Sequence, residues 1–529
     1  MPPAARFPRR FRLPLLLLAS AIGTVAALVG FRPAPPPPAL VILVTVDQMR
    51  GDYLTRWRGQ WSGAFRRLQR EAAVFPEGRQ DHGLTETAPG HATLLSGREP
   101  AGTGIVTNGL GVGDSTVHLL GTTGGGASPW RFRGPTLVDW LRKADSGTRV
   151  LSVSAKDRAA ILPIGKTRAS VIWYSDGRFT TSSYYRDTLP EWVESWNARG
   201  GVAAVSGRPW RLLLPDSAYP EPDSVPRENH GKDFTFPHVA HEPVTEGIKR
   251  TPWVDSLILD LALAGVRALD LGRRARPDLL AVSLSGTDYI GHAFGPDSRE
   301  IHDHLLHVDR WLGQFLDSLE ARVGKGRVLL VLSADHGVTP FPEVTQARGQ
   351  DAGYLRLGAL TREVNRQLGA RYAGAPKLVQ DNGLIFADRE QLREAGVSPE
   401  SLATALAAQA WRLPGVADAW TPATLGAALP VNLHARRWAR QLPRDFSWLL
   451  AVQAKPGWVY GDGPSGGAEH GTTNDDDAGV PVIFLGPGIP AGIFPDTVRT
   501  VDIAPTLASL LGLKPEGRLD GRPIRRLTR

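Results

Sequence analysis

Residues 39–47 read ALVILVTVD, eight apolar or β-branched positions from Ala39 to Val46 closed by the carboxylate of Asp47. So short an apolar run, with no alternation of polar residues, fits a strand buried on both faces of a parallel sheet. A carboxylate at the end of such a strand is costly to bury alone, so a cation or a helix cap is expected beside Asp47. Four further runs share the pattern. Arg149–Ser154 (RVLSVS) ends just before Lys156, Leu279–Leu284 (LLAVSL) before Asp288, and Arg327–Ser333 (RVLLVLS) before Asp335 and His336. Val480–Leu485 (VPVIFL) follows the loop that holds His470. Helical patterns lie between them, at Gly63–Ala72, Pro252–Leu271 and His304–Arg322. Strands alternating with helices predict an α/β fold, a mostly parallel central sheet flanked by helices on both faces. In such folds ligands collect at the carboxyl ends of the strands, where several of these polar residues fall.

Two stretches break the rhythm. Residues 166–249 are rich in Pro, Trp, Tyr and Asp and read as a surface insertion that could cap a site. Residues 341–460 carry a small α/β pattern of their own, with GLIFA and SLATALAAQAWRL, and read as an inserted subdomain. With these insertions, one catalytic domain is expected over residues 40–525.

The chain has 529 residues, 42% hydrophobic and 22% charged, an ordinary globular balance. The net charge of +8 is concentrated at the start, where residues 1–32 hold five Arg and no acid. Without them, 56 basic residues face 53 acidic ones, and no basic stripe of the kind nucleic-acid binders show is present. There is no Cys, which excludes disulfides, thiolate metal sites and a Cys nucleophile. The basic segment ARFPRRFR, the uncharged run Leu13–Phe31 and the PAPPPP of residues 33–38 read as a signal peptide or N-terminal membrane anchor over 1–32, then a Pro-rich linker over 33–39. Arg9-Arg10 followed by Phe11 resembles a twin-arginine signal. Export to the periplasm or the cell exterior is the expectation.

Five fragments carry the chemistry. They hold Asp47, Thr87 (TETAPGHATLLSG), Asp288 and His292 (SGTDYIGHAFGPD), Asp335-His336 (SADHG) and His470 (EHGTTND). Three carboxylates and three imidazoles with no thiolate suit a pair of catalytic zinc ions. In a helix, Asp288 and His292 stand one turn apart on one face and can grip one ion. Thr87 precedes Pro89 at a helix start, where backbone N–H groups favour a phosphate. A hydroxyl beside two metals is a phosphoryl-transfer nucleophile, with Thr85 the rival in the same loop. Lys156 and Arg158, two apart, face one way if the chain is extended there, and a lysine with an arginine fork suits a dianionic phosphate. His302, His304 and His307 lie on an amphipathic helix, and His304 and His307 are expected on a partly exposed face rather than at a metal. His82 and His91 are expected to pack near the nucleophile. Asp475–Asp477 receive no role.

The combination and order of VTVDQMRGDYL, TAPGHATLLSGREPAGTGIVTNG, GTDYIGHAFGP, SADHG and TVDIAPTLASLLGL resemble the alkaline phosphatase superfamily. The resemblance is to its type I phosphodiesterase/nucleotide pyrophosphatase-like branch, nearest the PafA-like bacterial alkaline phosphatases. It implies one zinc held by Asp288, His292 and His470 and a second by Asp47, Asp335 and His336. Thr87 would contact the metals and carry the phosphoryl group. It further implies that Asn108, Lys156 and Arg158 contact the substrate phosphate. The expected activity is hydrolysis of small-molecule phosphomonoesters through a phospho-threonine, with a phosphodiesterase on the same scaffold as the alternative. A sulfatase is disfavoured by the missing Cys and C-x-P-x-R motif.

Overall fold

All seven residues of the strand β1 (Leu40–Val46) are buried, and the strand runs parallel between two others. The structure is a computed structural model, and it describes residues 1, 37–463 and 467–528. The signal or anchor expected over 1–32 and most of the linker lie outside the described residues. Among the described residues, no helix is long and apolar enough to cross a membrane.

The strands that build the sheet follow in chain order: β2 (Ala73–Phe75), β3 (Val150–Ser154), β4 (Ser170–Ser175), β5 (Arg178–Thr180), β6 (Asp278–Leu284) and β7 (Val328–Ser333). Residues 341–460 contribute β8 (Val379–Asp381), β9 (Leu384–Phe386), β10 (Val416–Trp420) and β11 (Trp448–Ala454). The chain then returns to the main sheet with β12 (Val482–Leu485) and β13 (Gly492–Ile493). The nine-stranded main sheet has the order β13-β2-β12-β7-β1-β6-β3-β4-β5. Its middle, β7-β1-β6-β3-β4, is wholly parallel. One apolar cluster covers one face, with Ile42, Val44, Leu280, Val282 and Leu330, and a second covers the other, with Val41, Leu43, Leu279, Ala281 and Val331. Alternate residues of each strand thus enter opposite cores, which explains the unbroken apolar runs.

Three expectations change. β12 runs antiparallel to β7 and β2, not parallel, because a strand buried on both faces reads the same in either direction. Residues 170–180 form β4 and β5 of the main sheet, so the irregular stretch expected from residue 166 starts only after Thr180. His304 and His307 are buried, not partly exposed, and His302 on the same helix is buried too. His302 stacks on Trp57 at 4.6 Å, and His304 Nε2 lies 3.0 Å from Thr287 Oγ1. Neither belongs to a group of potential metal ligands among the described residues. Residues 341–460 hold the four-stranded sheet β8-β9-β11-β10 over a separate core that includes Leu357, Leu406 and Leu449.

The helices that matter to the site are α1 (Ala64–Glu71), α2 (Thr87–Leu94), α3 (Asp157–Ile161), α4 (Trp253–Ala268), α5 (Gly286–Phe294) and α6 (Arg299–Val323). Buried Asp255 of α4 fixes the start of α5, its Oδ1 accepting the N–H groups of Ser285 (2.8 Å) and Gly286 (2.9 Å). Two otherwise orphaned helix donors are thereby satisfied from another element. Burial pushes the Asp255 carboxyl up to about 7, against the pull of those two amides. Asp255→Ala should destabilise the fold by about 2 kcal/mol, while Asp255→Asn, which keeps an acceptor, costs less. Denaturant titration reads the difference, and equal midpoints for both variants and the parent would refute it.

Candidate active site

Asp47, Asp288, Asp335 and Lys156 all sit where the parallel strands end, and all four are buried. Asp47 directly follows β1, and Asp335 lies two residues beyond β7. Asp288 sits in the first turn of α5, with His292 one turn later, its Nε2 3.3 Å from Asp288 Oδ1. His336 follows Asp335, and His470 comes from the loop before β12. Asp288, His292 and His470 form one group able to hold a metal ion, and Asp47, Asp335 and His336 form another.

Each histidine is oriented by a backbone carbonyl. Nδ1 donates to Ala468 O from His292 (2.6 Å), to Gly337 O from His336 (2.9 Å) and to Thr85 O from His470 (2.7 Å). That leaves all three Nε2 atoms toward the carboxylates, the arrangement metal-ligating histidines adopt. The rings of His336 and His470 stack at 3.6 Å. Burial, with the neighbouring histidines, keeps His470 well below the usual imidazole range, so it offers a lone pair rather than a proton. His292 goes the other way, raised to about 9, because Asp288 and Glu469 outweigh its burial.

Charge balance points to a cation. Lys156 Nζ lies 2.8 Å from Asp47 Oδ2 and 2.6 Å from Asp288 Oδ2. Burial favours the neutral amine, yet Asp288 and Asp47 raise Lys156 above the ordinary lysine range. Burial, reinforced by Asp335, pushes Asp47 well above the usual carboxylate range in spite of Lys156. Neither oxygen of Asp47 accepts a hydrogen bond of normal geometry, nor does Asp335 Oδ2. Three carboxylates against one ammonium and the raised His292 imidazole, with orphaned oxygens and inward Nε2 atoms, fit divalent metal ions.

Thr87 is the first residue of α2, with its Oγ1 3.4 Å from His336 Nε2 and 3.5 Å from Lys156 Nζ. Thr85, the rival hydroxyl, is spent on structure: it donates to Thr472 O (2.7 Å) and accepts from Gly471 N (3.2 Å). Gly90 lets α2 lie against the Asp335 strand end, since a Cβ there would stand 2.2 Å from Asp335 O. Asn108 Oδ1 accepts the Ala88 N–H at 2.8 Å, which leaves its Nδ2 without a protein partner among the described residues. Lys156 and Arg158 do not share an extended segment. Lys156 is the N-cap of α3 and Arg158 lies in its first turn, because the chain turns into a helix straight after β3. Arg158 is half-buried, 3.7 Å from Asp157, and still feels the charges of Asp47 and Asp288.

Several residues support the site, His91 as expected near Thr87 and others, such as Gln48, without a sequence signal of their own. Gln48, in the left-handed region at φ 67°, donates from Nε2 to Asp288 Oδ1 and from its backbone to Asp335 Oδ1, both at 3.1 Å. His91 lies 3.0 Å from Asp335 Oδ2 and donates to Thr87 O. Asp477 accepts from Thr472 and Thr339, while the backbones of Asp476 and Asp477 accept the N–H groups of Val338 and Gly337. The acidic triplet therefore buckles the His336 loop to the His470 loop.

Residues 41–474 match the family described as type I phosphodiesterase / nucleotide pyrophosphatase. Alkaline phosphatase PafA of Elizabethkingia meningoseptica is 31% identical, with 98% of each chain aligned. The crystal structure of PafA superposes with a TM-score of 0.86, covering 94% of this chain and 100% of PafA. The chain belongs to the PafA-like alkaline phosphatases. Alkaline phosphatase PhoV of Synechococcus elongatus is 32% identical over 91% of this chain and 92% of PhoV. A protein of Myroides odoratus named calcium-transporting ATPase is 32% identical over 92% of this chain and 94% of its own.

Proposed function

We propose that the protein is a zinc-dependent phosphomonoesterase that works through a phospho-threonine, exported to the periplasm or the cell exterior. The observation that carries the reading is Thr87 Oγ1 beside His336 Nε2 and beside Lys156 Nζ, which itself touches one carboxylate of each group able to hold a metal. Asp288, His292 and His470 would hold one zinc, and Asp47, Asp335 and His336 the other. Bound zinc supplies positive charge that lowers the pKa of a neighbouring hydroxyl and balances charge on ester oxygens.

The chain's own groups do the rest. Thr87 Oγ loses its proton to solvent and attacks phosphorus, forming an Oγ–P bond as the bond to the leaving oxygen breaks and that oxygen takes a proton from solvent. Water then attacks the same phosphorus from the vacated side, the Oγ–P bond breaks, and Thr87 regains its proton as inorganic phosphate departs. Two displacements give retention of configuration. At the start of α2 the Ala88 N–H is held by Asn108 Oδ1, Pro89 has no N–H and the Gly90 N–H goes to Glu86 O, so the Thr87 N–H is the one left to face a phosphoryl oxygen. Asn108 Nδ2 and the Arg158 guanidinium donate to the same oxygens, and Lys156 keeps the nucleophile's surroundings positive.

The preference for monoesters over diesters rests on Lys156 and Arg158, because a monoester presents one more negative charge for them to meet. A mutant form of PafA altered at a threonine, an asparagine, a lysine and an arginine adds support. In it the threonine and asparagine are 21 residues apart and the lysine and arginine two apart. Thr87 and Asn108, and Lys156 and Arg158, have the same spacings here.

Thr87→Val should lower aryl phosphate turnover by about 1,000-fold or more, whereas Thr85→Val retains most of it and costs about 1 kcal/mol of stability. The reverse ranking would move the nucleophile to Thr85. Removing Lys156 and Arg158 together should reduce kcat/KM for a monoester about 100-fold more than for a matched diester. Equal losses on the two esters would remove the monoester assignment. Dialysis against a chelator should abolish activity and zinc should restore it, while rescue by magnesium or calcium alone would overturn the choice of metal.

A further inference from the structure

The β8–β9 hairpin brings residues 341–460 against the loop that starts α2. Its two-residue tip is Asn382-Gly383, with Asn382 in the left-handed region at φ 44°. The Gly383 carbonyl is tied to β11 through Val452 N at 2.8 Å, so the tip is held by its own sheet. From there the Asn382 Nδ2 donates to Glu86 Oε1 at 2.6 Å. Glu86 is buried at the N-cap of α2, but its carboxylate does not cap the helix. Instead its Oε2 accepts the Asn108 N–H at 2.7 Å, and Asn108 Oδ1 takes the Ala88 N–H in its place.

The same tip touches two more segments. A Cβ on Gly471, the residue after His470, would stand 2.6 Å from Asn382 Nδ2, so the amide packs on that backbone. A Cβ on Gly109, the residue after Asn108, would stand 3.3 Å from Asp381 Oδ2. One hairpin tip therefore abuts the neighbours in sequence of Thr87, Asn108 and His470, which the rest of the chain brings in from three separate loops.

We propose that Asn382 is a positioning residue, acting through Glu86 to set the Asn108 backbone, and hence the Asn108 amide, against the phosphoryl group. This rests on the role given to Asn108 above. Its chemical consequence is that residues 341–460 tune phosphate recognition without supplying a group that touches substrate. A buried carboxylate that loses one of its two donors shifts or seeks another, and the Asn108 N–H moves with it.

Asn382→Gly is the informative variant, because glycine tolerates the left-handed backbone while removing the amide. It should be compared in the full-length, zinc-loaded enzyme with Asn108→Ala and with the double variant, on matched mono- and diesters. Asn382→Gly is expected to lower monoester kcat/KM roughly tenfold to 100-fold, with a smaller effect on the diester. In the Asn108→Ala background the same change should cost less than about twofold, since coupled residues are not additive. Zinc content should equal that of the parent. Unchanged activity, full additivity with Asn108→Ala or loss of zinc in Asn382→Gly would each overturn the inference while leaving the Asn108 assignment standing. Normal monoester activity in Asn108→Ala would overturn both.

Discussion

Three carboxylates and one ammonium, all out of water at the carboxyl edge of a parallel sheet, set the terms for the rest of the molecule. Lys156 touches Asp47 and Asp288, but it does not neutralise Asp335 as well, and Asp47 is left with its carboxyl pushed far from its usual range. A cluster of this kind is stable only if the surrounding structure holds the charges in place until cations balance them. The supports are visible on every side. Gln48 reaches both Asp288 and Asp335, His91 lies against Asp335, and three carbonyls fix three imidazoles. The parallel sheet makes such crowding possible, because β1, β6 and β7 are neighbours and all end at the same edge.

The loops beyond those strand ends are also bound to one another. Asp255 reaches from α4 to the start of α5, and the Asp476–Asp477 backbone reaches from one ligand loop to the next. Asn382 does the same from the separate four-stranded sheet. Loops pinned in this way can hold a metal geometry that isolated loops would not, since ligand positions must be kept within a fraction of an ångström.

Much of the fold could be read in advance because burial on both faces leaves an unmistakable mark, as in residues 40–46, 279–284 and 328–333. The three helices expected from apolar spacing are α1, α4 and α6, with bounds shifted by a few residues. Strand direction left no such mark, and β12 turned out antiparallel. The strands at 170–180 hid in a stretch whose aromatic and polar residues suggested a loop. Arg158 misled because the residue after Lys156 begins a helix, and no residue in AKDRAAI forces the chain to stay extended. His304 and His307 looked amphipathic, yet Thr287, Asp255 and Asp303 supply polar partners inside the protein. Asp and His at strand ends stood out as potential metal ligands, and they do gather into two groups able to hold an ion. Gln48, Glu86 and Asn382 were not, because their roles exist only through contacts with residues 20 to about 300 positions away.

The position of His470 in the chain bears on how the protein is made. Asp47, Thr87, Lys156, Asp288, His292, Asp335 and His336 all emerge from the ribosome before residues 341–460 and before the histidine that completes one of the two metal groups. β12, which lies between β7 and β2, also arrives only after that histidine. While the 134 residues from His336 to His470 are made, a nascent chain therefore carries the crowded carboxylates without the histidine that completes the second group. Early collapse falls to the apolar strands, and both groups able to hold a metal are complete only shortly before the penultimate strand of the sheet is made.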